Sequence, residues 1–363
     1  MYDYLIVGAG LFGSVCAREL SNAGKNCLVI DKRNHIGGNC YTDKIEGINI
    51  HKYGPHIFHT SNNKVWNYIN NFAKFNNYIN RVKVKYKNNI YSFPINLMTL
   101  YQIWGVKTPD EAKSKLESVR IHIDNPNNLE EWALSQVGEE IYNIFIKGYT
   151  TKQWGRAPSD LPSFIIRRLP IRLTFDDNYY HDIYQGIPIG GYTNLFYNLL
   201  KGIEVKLAVD YFKEQKTLNK ISKRIIYTGK IDEFFNYRYG ELEYLTLRFE
   251  NEVLNISDYQ GNAVINYTEE QIPYTRIIEH NHFEYFESKK TVITKEYPDK
   301  WHKNKIPYYP VNNYRNNLLF SKYKKLSQNL PKVIFGGRLA EYKYYDMDEI
   351  IESALNIVQN EVK

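Results

Sequence analysis

Apolar and polar positions change period along the chain, and the changes mark its elements. Tyr4-Leu5-Ile6-Val7 is a short apolar run that stops at a glycine cluster. From Leu11 to Ala23 the apolar positions recur at helical spacing with few β-branched residues, which predicts a helix that Gly24 ends. Cys27-Leu28-Val29-Ile30 reads as a second buried strand closed by Asp31. Strand, glycine-rich turn, helix and strand thus fit within about thirty residues, a βαβ unit.

The pattern turns helical from about Met98 to Tyr149. Pro109-Asp110-Glu111 and Asn128-Leu129-Glu130-Glu131 read as helix starts, and Leu134, Val137, Ile141, Ile144 and Phe145 recur at steps of three and four. Residues 156–191 are rich in Pro, Gly and Arg, and read as a long loop with turns, the kind of segment that forms a mobile lid. Residues 235–300 hold short β-rich runs (Tyr244 to Phe249, Ala263 to Tyr267, Thr291 to Thr294) between polar turns, which predicts an antiparallel sheet. Val333-Ile334-Phe335 runs into Gly336-Gly337-Arg338 as another strand ending in glycines, and 347–362 is a terminal amphipathic helix.

Composition narrows the class. With 363 residues, 43% hydrophobic and 24% charged, the chain has a globular balance and room for two or three domains. No apolar run approaches the ~18 residues that cross a bilayer, and no basic segment precedes the first strand, so a cytoplasmic protein is expected. Cys16, Cys27 and Cys40 show no metal-ligand spacing, and their odd number argues against a disulfide framework; no metal is expected. A net charge of +7 suits an anionic small substrate or a solvated lysine-rich surface. Its basic residues are scattered rather than clustered, which argues against nucleic acid. The 33 tyrosines read mostly as codon bias in an AT-rich genome.

Three constellations carry chemistry. Gly8-Ala9-Gly10-Leu11-Phe12-Gly13 follows a strand and opens a helix, where glycines let the backbone approach a pyrophosphate. Asp31 ends the next strand, placed to accept ribose hydroxyls. A close-packed turn with a chance acid is the plain alternative, and the four features together disfavour it. After Asp31, the run Lys32-Arg33-Asn34-His35-Ile36-Gly37-Gly38-Asn39 resembles the extended signature of the large FAD-binding family, in which a glycine pair makes a further turn near the pyrophosphate. The third constellation is Gly336-Gly337-Arg338 followed by Glu341 to Met347; Asp346 there also suits a helix N-cap.

Four further segments carry a specific likeness: Lys52 to Thr60, Lys147 to Gly155, Pro273 to His280 and Gly336 to Tyr342. In their order and content they resemble those of bacterial UDP-galactopyranose mutases, over essentially the whole chain. The fold this implies is α/β: a Rossmann-like FAD-binding domain (1–75 with 190–235 and 330–363), a helical insertion domain for substrate (95–189, with a mobile loop near 156–178) and an antiparallel β-sheet domain (76–94 with 236–329). The activity it implies is interconversion of UDP-galactopyranose and UDP-galactofuranose, which supplies galactofuranose for cell-surface polysaccharide such as lipopolysaccharide. FAD, active when reduced, would act through N5 attack on the anomeric carbon with no net redox change. A homodimer and the absence of membrane insertion are implied as well.

The resemblance also implies site residues. Arg168 and Arg276 would clamp the diphosphate, with Arg167 and Arg172 as neighbours of the first; a lone arginine in such a loop is ordinarily a solvated charge. His59 would place the sugar or handle a proton, although a lone His in a strand-turn is usually structural. Phe145, Tyr149, Thr150 and Trp154 match the uridine pocket, although helical spacing alone makes Phe145 and Tyr149 core residues. Asn80, Tyr179, Asn266, Tyr309 and Tyr344 fall at substrate positions. Gly8, Gly10, Phe12, Gly13, Asp31, Arg33, Gly38, Asn39, His56, Ile57, Arg338, Asp346 and Met347 fall at flavin positions. Asp31 replaces the longer glutamate of many family members, and either acid accepts both ribose hydroxyls. Two other readings remain: a mutase that also takes UDP-N-acetylgalactosamine, and an amine-oxidase-like flavin oxidoreductase.

Overall fold

In the computed structural model, which describes residues 1–163, 171–285 and 287–362, the first strand, Tyr2–Val7, takes the middle of a five-stranded parallel sheet. Its neighbours are Cys27–Asp31 and then Glu204–Leu207 on one side, and Ser222–Tyr227 and then Val333–Phe335 on the other. A parallel sheet is covered on both faces, so its central strands need continuous apolar runs. Leu5, Ile6, Leu28, Val29 and Ile30 have no exposed surface. Leu5, Leu28 and Ile30 share a cluster with Ile225, Tyr227 and Ala340, which joins the early strands to residues 195 to 335 positions later (225 − 30 and 340 − 5).

The chain divides into two compact units. One comprises Met1–Tyr78, Asp182–Thr246 and Lys300–Lys363; the other comprises Ile79–His181 and Leu247–Asp299. Most of the helical and sheet segments that the sequence assigns to separate domains fall together in this second unit, whereas 76–78, 182–189, 236–246 and 300–329 of those assignments fall in the first.

In the first unit the helix Leu11–Asn22 comes after the glycine turn, with Gly10 as its N-cap and no acidic residue in its first turn. It packs against Met347–Glu361, the terminal helix. Phe12 lies under the late glycine turn: a Cβ on Gly336 would meet its Cζ at 2.2 Å. The short strand Tyr184–Gly186, inside the segment read as loop, pairs antiparallel with Phe58–Thr60.

In the second unit the helix Pro109–Val119 starts as its sequence predicts. Thr108 accepts from the Glu111 N–H at 3.2 Å while Glu111 accepts from the Thr108 N–H, a reciprocal cap. Asn128 likewise caps Leu129–Ile141, accepting from the Glu131 N–H at 2.9 Å. Periodicity does not reveal the break inside that helix. Gly138 leaves helical geometry at φ 72°, with its α-carbon against the Val119 carbonyl, and Tyr142–Lys147 winds as a π-helix before Gly148–Trp154. The sheet runs Tyr244–Leu254, Thr291–Asp299, Arg276–Glu279, Val264–Tyr267, Lys83–Tyr86 and Asn89–Ser92. It is antiparallel where its pairing registers are defined, except that Val264–Tyr267 runs parallel to Lys83–Tyr86.

The glycines at the first turn separate a packing requirement from an access requirement. A Cβ on Gly13 would meet the Gly8 carbonyl oxygen at 2.0 Å, whereas one on Gly10 would find only Gly38 Cα at 3.8 Å. Gly13→Ala is therefore expected to destabilise the protein by about 1–3 kcal/mol, while Gly10→Ala keeps near-native stability; parallel thermal melts check the difference.

Candidate functional site

The glycine turn is held by bonds on both sides of Ala9. Its N–H donates to Asp31 Oδ2 at 2.8 Å, and its carbonyl accepts from the Gly37 N–H at 2.8 Å. Asp31 Oδ1 accepts from the Arg33 N–H at 2.9 Å. The expected ribose acceptor is thus also the strut of the turn, and each oxygen keeps a lone pair. Gly10 and Gly38 face each other so closely that a Cβ on Gly38 would lie 3.0 Å from Gly10 Cα.

Beside this turn the Arg33 guanidinium donates to Asn39 Oδ1 at 2.9 Å and lies 4.6 Å from the centre of the Tyr53 ring. Tyr53 donates to His35 Nε2 at 2.7 Å, because His35 Nδ1 donates to the Ile36 carbonyl; His35 in turn stacks on Tyr41 at 3.9 Å. His35 and Tyr53 lie inside the 32–39 and 52–60 motifs without a role assigned to them there, and Tyr41 lies outside both. The Arg33 Nη1 atom is buried without a hydrogen-bond partner among the described residues. A helix N-terminus without a side-chain cap, facing glycines and a half-buried cation with a donor to spare fit a pyrophosphate-bearing cofactor.

The remaining cofactor candidates divide. His56 is half-buried, and its Nδ1 donates to the Gly54 carbonyl at 2.7 Å; desolvation pushes its pKa down to about 4, so the ring is neutral. Ile57 and Phe12 are buried apolar packing, and the Phe12 ring supports the late glycine turn. Met347 Sδ lies 3.7 Å from Cys40 Sγ. Arg338 donates to the Tyr308 and Tyr345 carbonyls and sits 4.9 Å from the Tyr344 ring and 5.8 Å from Tyr309. Those two tyrosines stack at 5.7 Å, and Tyr344 donates to Asp346 Oδ1 at 3.0 Å.

His59 belongs to the same unit. Its Nδ1 meets Asp182 Oδ2 at 2.7 Å, and Asp182 Oδ1 accepts from the Ser61 hydroxyl at 2.7 Å. Asp182 is 123 residues away in sequence, so no spacing could have revealed it.

In the second unit strand register lines up three polar residues. Asn266 pairs with Arg276, and Arg276 with Glu296, on neighbouring strands. Arg276 Nε lies 3.2 Å from Glu296 Oε1, and its Nη2 donates to the Tyr149 hydroxyl at 2.6 Å. Burial raises the Tyr149 pKa to about 12, although Arg276 opposes the rise. The Asn266 Oδ1 atom is buried with no hydrogen-bond partner among the described residues.

Asn80 accepts from the Tyr179 N–H at 2.8 Å. Tyr179 contacts Phe93, which stacks on Phe145 at 6.1 Å, and it is close enough to Tyr149 to influence its titration. Seven of the predicted residues, Asn80, Phe145, Tyr149, Thr150, Tyr179, Asn266 and Arg276, therefore gather on the helices, the sheet and the chain between them. Thr150 is buried, and Trp154 is half-buried at the helix end. Lys152 went unnoticed: its Nζ donates to the Tyr267 and Tyr274 carbonyls, and burial lowers its pKa to about 8. Arg167 and Arg168 lie outside the described residues. Arg172 is buried among the Asp176 and Asn178 carbonyls and His181, so it anchors its own loop.

A family model described as UDP-galactopyranose mutase matches residues 144–344, and one described as an NAD(P)-binding Rossmann-like domain matches 6–72. The chain belongs to the UDP-galactopyranose mutase family. It is 40% identical to an Escherichia coli dTDP-fucopyranose mutase, covering 100% of this chain and 99% of that one. It is 42% identical to a Klebsiella pneumoniae protein described as "Probable UDP-galactopyranose mutase", covering 97% and 93%. A Mycoplasma genitalium UDP-galactopyranose mutase is 35% identical, over 96% and 92%. Among solved structures, a reduced UDP-galactopyranose mutase shares the fold with a TM-score of 0.76 at 15% identity, covering 100% of this chain and 94% of that one. Membership makes the chain an isomerase of a flavin-using family, and no helix among the described residues is long and apolar enough to cross a membrane.

Among the described residues one further cluster has ligand-like spacing. His282 Nε2 lies 3.3 Å from Asp258 Oδ2 and 3.5 Å from Glu279 Oε2. Glu279 is fully buried and already accepts from the Tyr259 and Gln260 N–H groups and the Thr291 hydroxyl. His282 acts as its counter-ion, and the bond to Glu279 raises the imidazole pKa above its ordinary value. The stabilisation is complete below about pH 6.5 and is lost as pH rises through the raised folded value. Urea unfolding at a series of pH values should show stability falling across that window, with the fall reduced in His282→Gln.

Proposed function

We propose that this chain interconverts the pyranose and furanose forms of UDP-galactose, holding FAD in the reduced state. The observation that carries the reading is the Asn266–Arg276–Tyr149 arrangement. It places a guanidinium braced by a buried carboxylate next to an amide oxygen with no partner among the described residues. That is the complement of a nucleoside diphosphate sugar, which brings both negative charge and hydroxyl donors. Phe145, Tyr149, Thr150 and Trp154 supply an aromatic, part-polar surface suited to a pyrimidine, and Asn80 and Tyr179 flank it.

The chemistry asks three things of the protein. Charge grows on the departing diphosphate as the anomeric bond breaks, so a fixed cation lowers that barrier more than it tightens substrate binding. Arg276 is suited to this because Glu296 and Tyr149 fix its orientation beforehand. Arg168 is the second member of the proposed clamp. A bound reduced flavin supplies a nucleophile that substitutes for the nucleotide and is restored at the end. The Gly8–Gly13 turn, Asp31, Arg33, Gly38 and the Arg338–Asp346 segment are proposed to hold FAD, with His59, Tyr309 and Tyr344 toward the sugar. We also propose a cytoplasmic homodimer.

The full-length likeness to a dTDP-fucopyranose mutase favours a second reading, in which the substrate is a dTDP-6-deoxyhexose. Turnover of UDP-galactofuranose, UDP-N-acetylgalactosamine and dTDP-fucofuranose by dithionite-reduced protein, followed by chromatography, decides among them. UDP-galactofuranose is expected to be converted fastest, and oxidised protein to be nearly inert. Equal rates in both redox states would sink the reading. Arg276→Ala is expected to cut turnover by at least about a hundredfold while flavin absorbance is retained; near-native turnover would remove Arg276 from the clamp.

A further inference from the structure

His59 is gripped by the chain in a way that decides its chemistry. It sits on the strand Phe58–Thr60, directly opposite Gln185 of the partner strand Tyr184–Gly186. Its side chain is 11% exposed. The residue that reaches it is Asp182, two positions before that partner strand, at 2.7 Å from Nδ1. Asp182 is itself fixed from its other oxygen by the Ser61 hydroxyl, and Ser61 Oγ accepts from the Ile183 N–H at 3.3 Å. Both ends of the contact are therefore set by one pair of strands and the turn residue after it.

A carboxylate only accepts hydrogen bonds, so the nitrogen that meets it must carry a proton. In a neutral imidazole the other nitrogen is then the acceptor. We infer that Asp182 is a positioning residue, which holds His59 as the Nδ1–H tautomer and orients Nε2 as the acceptor nitrogen toward a sugar hydroxyl in the reaction. The sugar end of this inference rests on the mutase reading; the tautomer end rests on the geometry alone.

The acidic groups around the ring are few. Besides Asp182, Asp348 in the first turn of the terminal helix is bonded to Thr60 and acts electrostatically on His59; its own pKa is raised by burial. Asp346 bears on Asp348 in turn. Asp348 reaches the ring through charge and Asp182 through a hydrogen bond. Of these two, Asp182 is the one whose contact sets which nitrogen is protonated.

The test uses full-length flavin-loaded protein labelled with ¹⁵N-histidine. The nine histidines are sorted with a His59→Gln variant. The wild-type His59 ring is expected to show a protonated Nδ1 and an unprotonated Nε2 at pH 8. Asp182→Asn keeps the shape but lets the amide donate to Nδ1, which permits the other tautomer. In that variant the ring signals should change, kcat should fall by at least about tenfold with KM within about threefold, and the melting temperature should stay near wild type. Asp182→Glu, which keeps the carboxylate, should restore part of kcat. A wild-type ring protonated on Nε2 overturns the inference, as does an Asp182→Asn enzyme with unchanged ring signals and kcat. If the Nδ1–H tautomer is found and lost on Asp182→Asn while no sugar nucleotide turns over, the tautomer role stands and the mutase reading fails.

Discussion

Two long-range hydrogen bonds of Ala9 are the constraint on which the nucleotide end of the molecule depends. The N–H ties the glycine turn to the carboxylate that ends the second strand, and the carbonyl ties it to the Gly37–Gly38 turn. Neither partner is near Ala9 in sequence, yet the parallel pairing of Tyr2–Val7 with Cys27–Asp31 brings both to it. The helix Leu11–Asn22 then starts with no side-chain cap of its own, its first N–H groups aimed outward. The same bonds close the turn and leave the helix dipole available to a ligand.

A comparable economy governs the second unit. Antiparallel pairing sets Asn266, Arg276 and Glu296 side by side, so one register decides the position of a cation, its buried counter-charge and an open amide oxygen. The π-helix at Tyr142–Lys147 adds the other half of the arrangement. A helix that takes an extra residue in one turn shifts the face of everything after it, and here that shift precedes Tyr149, whose hydroxyl meets Arg276. A one-residue slip in either element would pull the guanidinium and the phenol apart.

Local pattern made the first βαβ unit, the capped helices at Pro109 and Leu129 and the terminal helix legible, because each rests on signals within a few residues. The strands Glu204–Leu207 and Ser222–Tyr227 were not individually visible, since short edge and interior strands lack a period long enough to count. The kink at Gly138 and the π-helix escaped for the opposite reason: their residues keep helical spacing while the backbone departs from it. For the site, long motifs located Arg276, Tyr149, Asn266 and His59. Glu296, which braces Arg276, and Asp182, which meets His59, were hidden, as was Lys152 with its bonds to the Tyr267 and Tyr274 carbonyls, because these contacts are made by register and loop closure across 20 to 123 residues. Arg172, a neighbour of the proposed clamp, proved to be a loop anchor once its carbonyl partners were seen.

Phe12 under Gly336 also sets an order in time. The turn that begins the chain leaves the ribosome early, but the surface that covers its phenylalanine is made 324 residues later (336 − 12). At about 5–20 residues per second the first helix waits roughly 16–65 s for that cover. During this interval its apolar face is exposed to whatever else is nearby. Until Gly336 and the terminal helix Met347–Glu361 are made, that face has no native cover from them, so aggregation of the first helix is a hazard built into the order of synthesis.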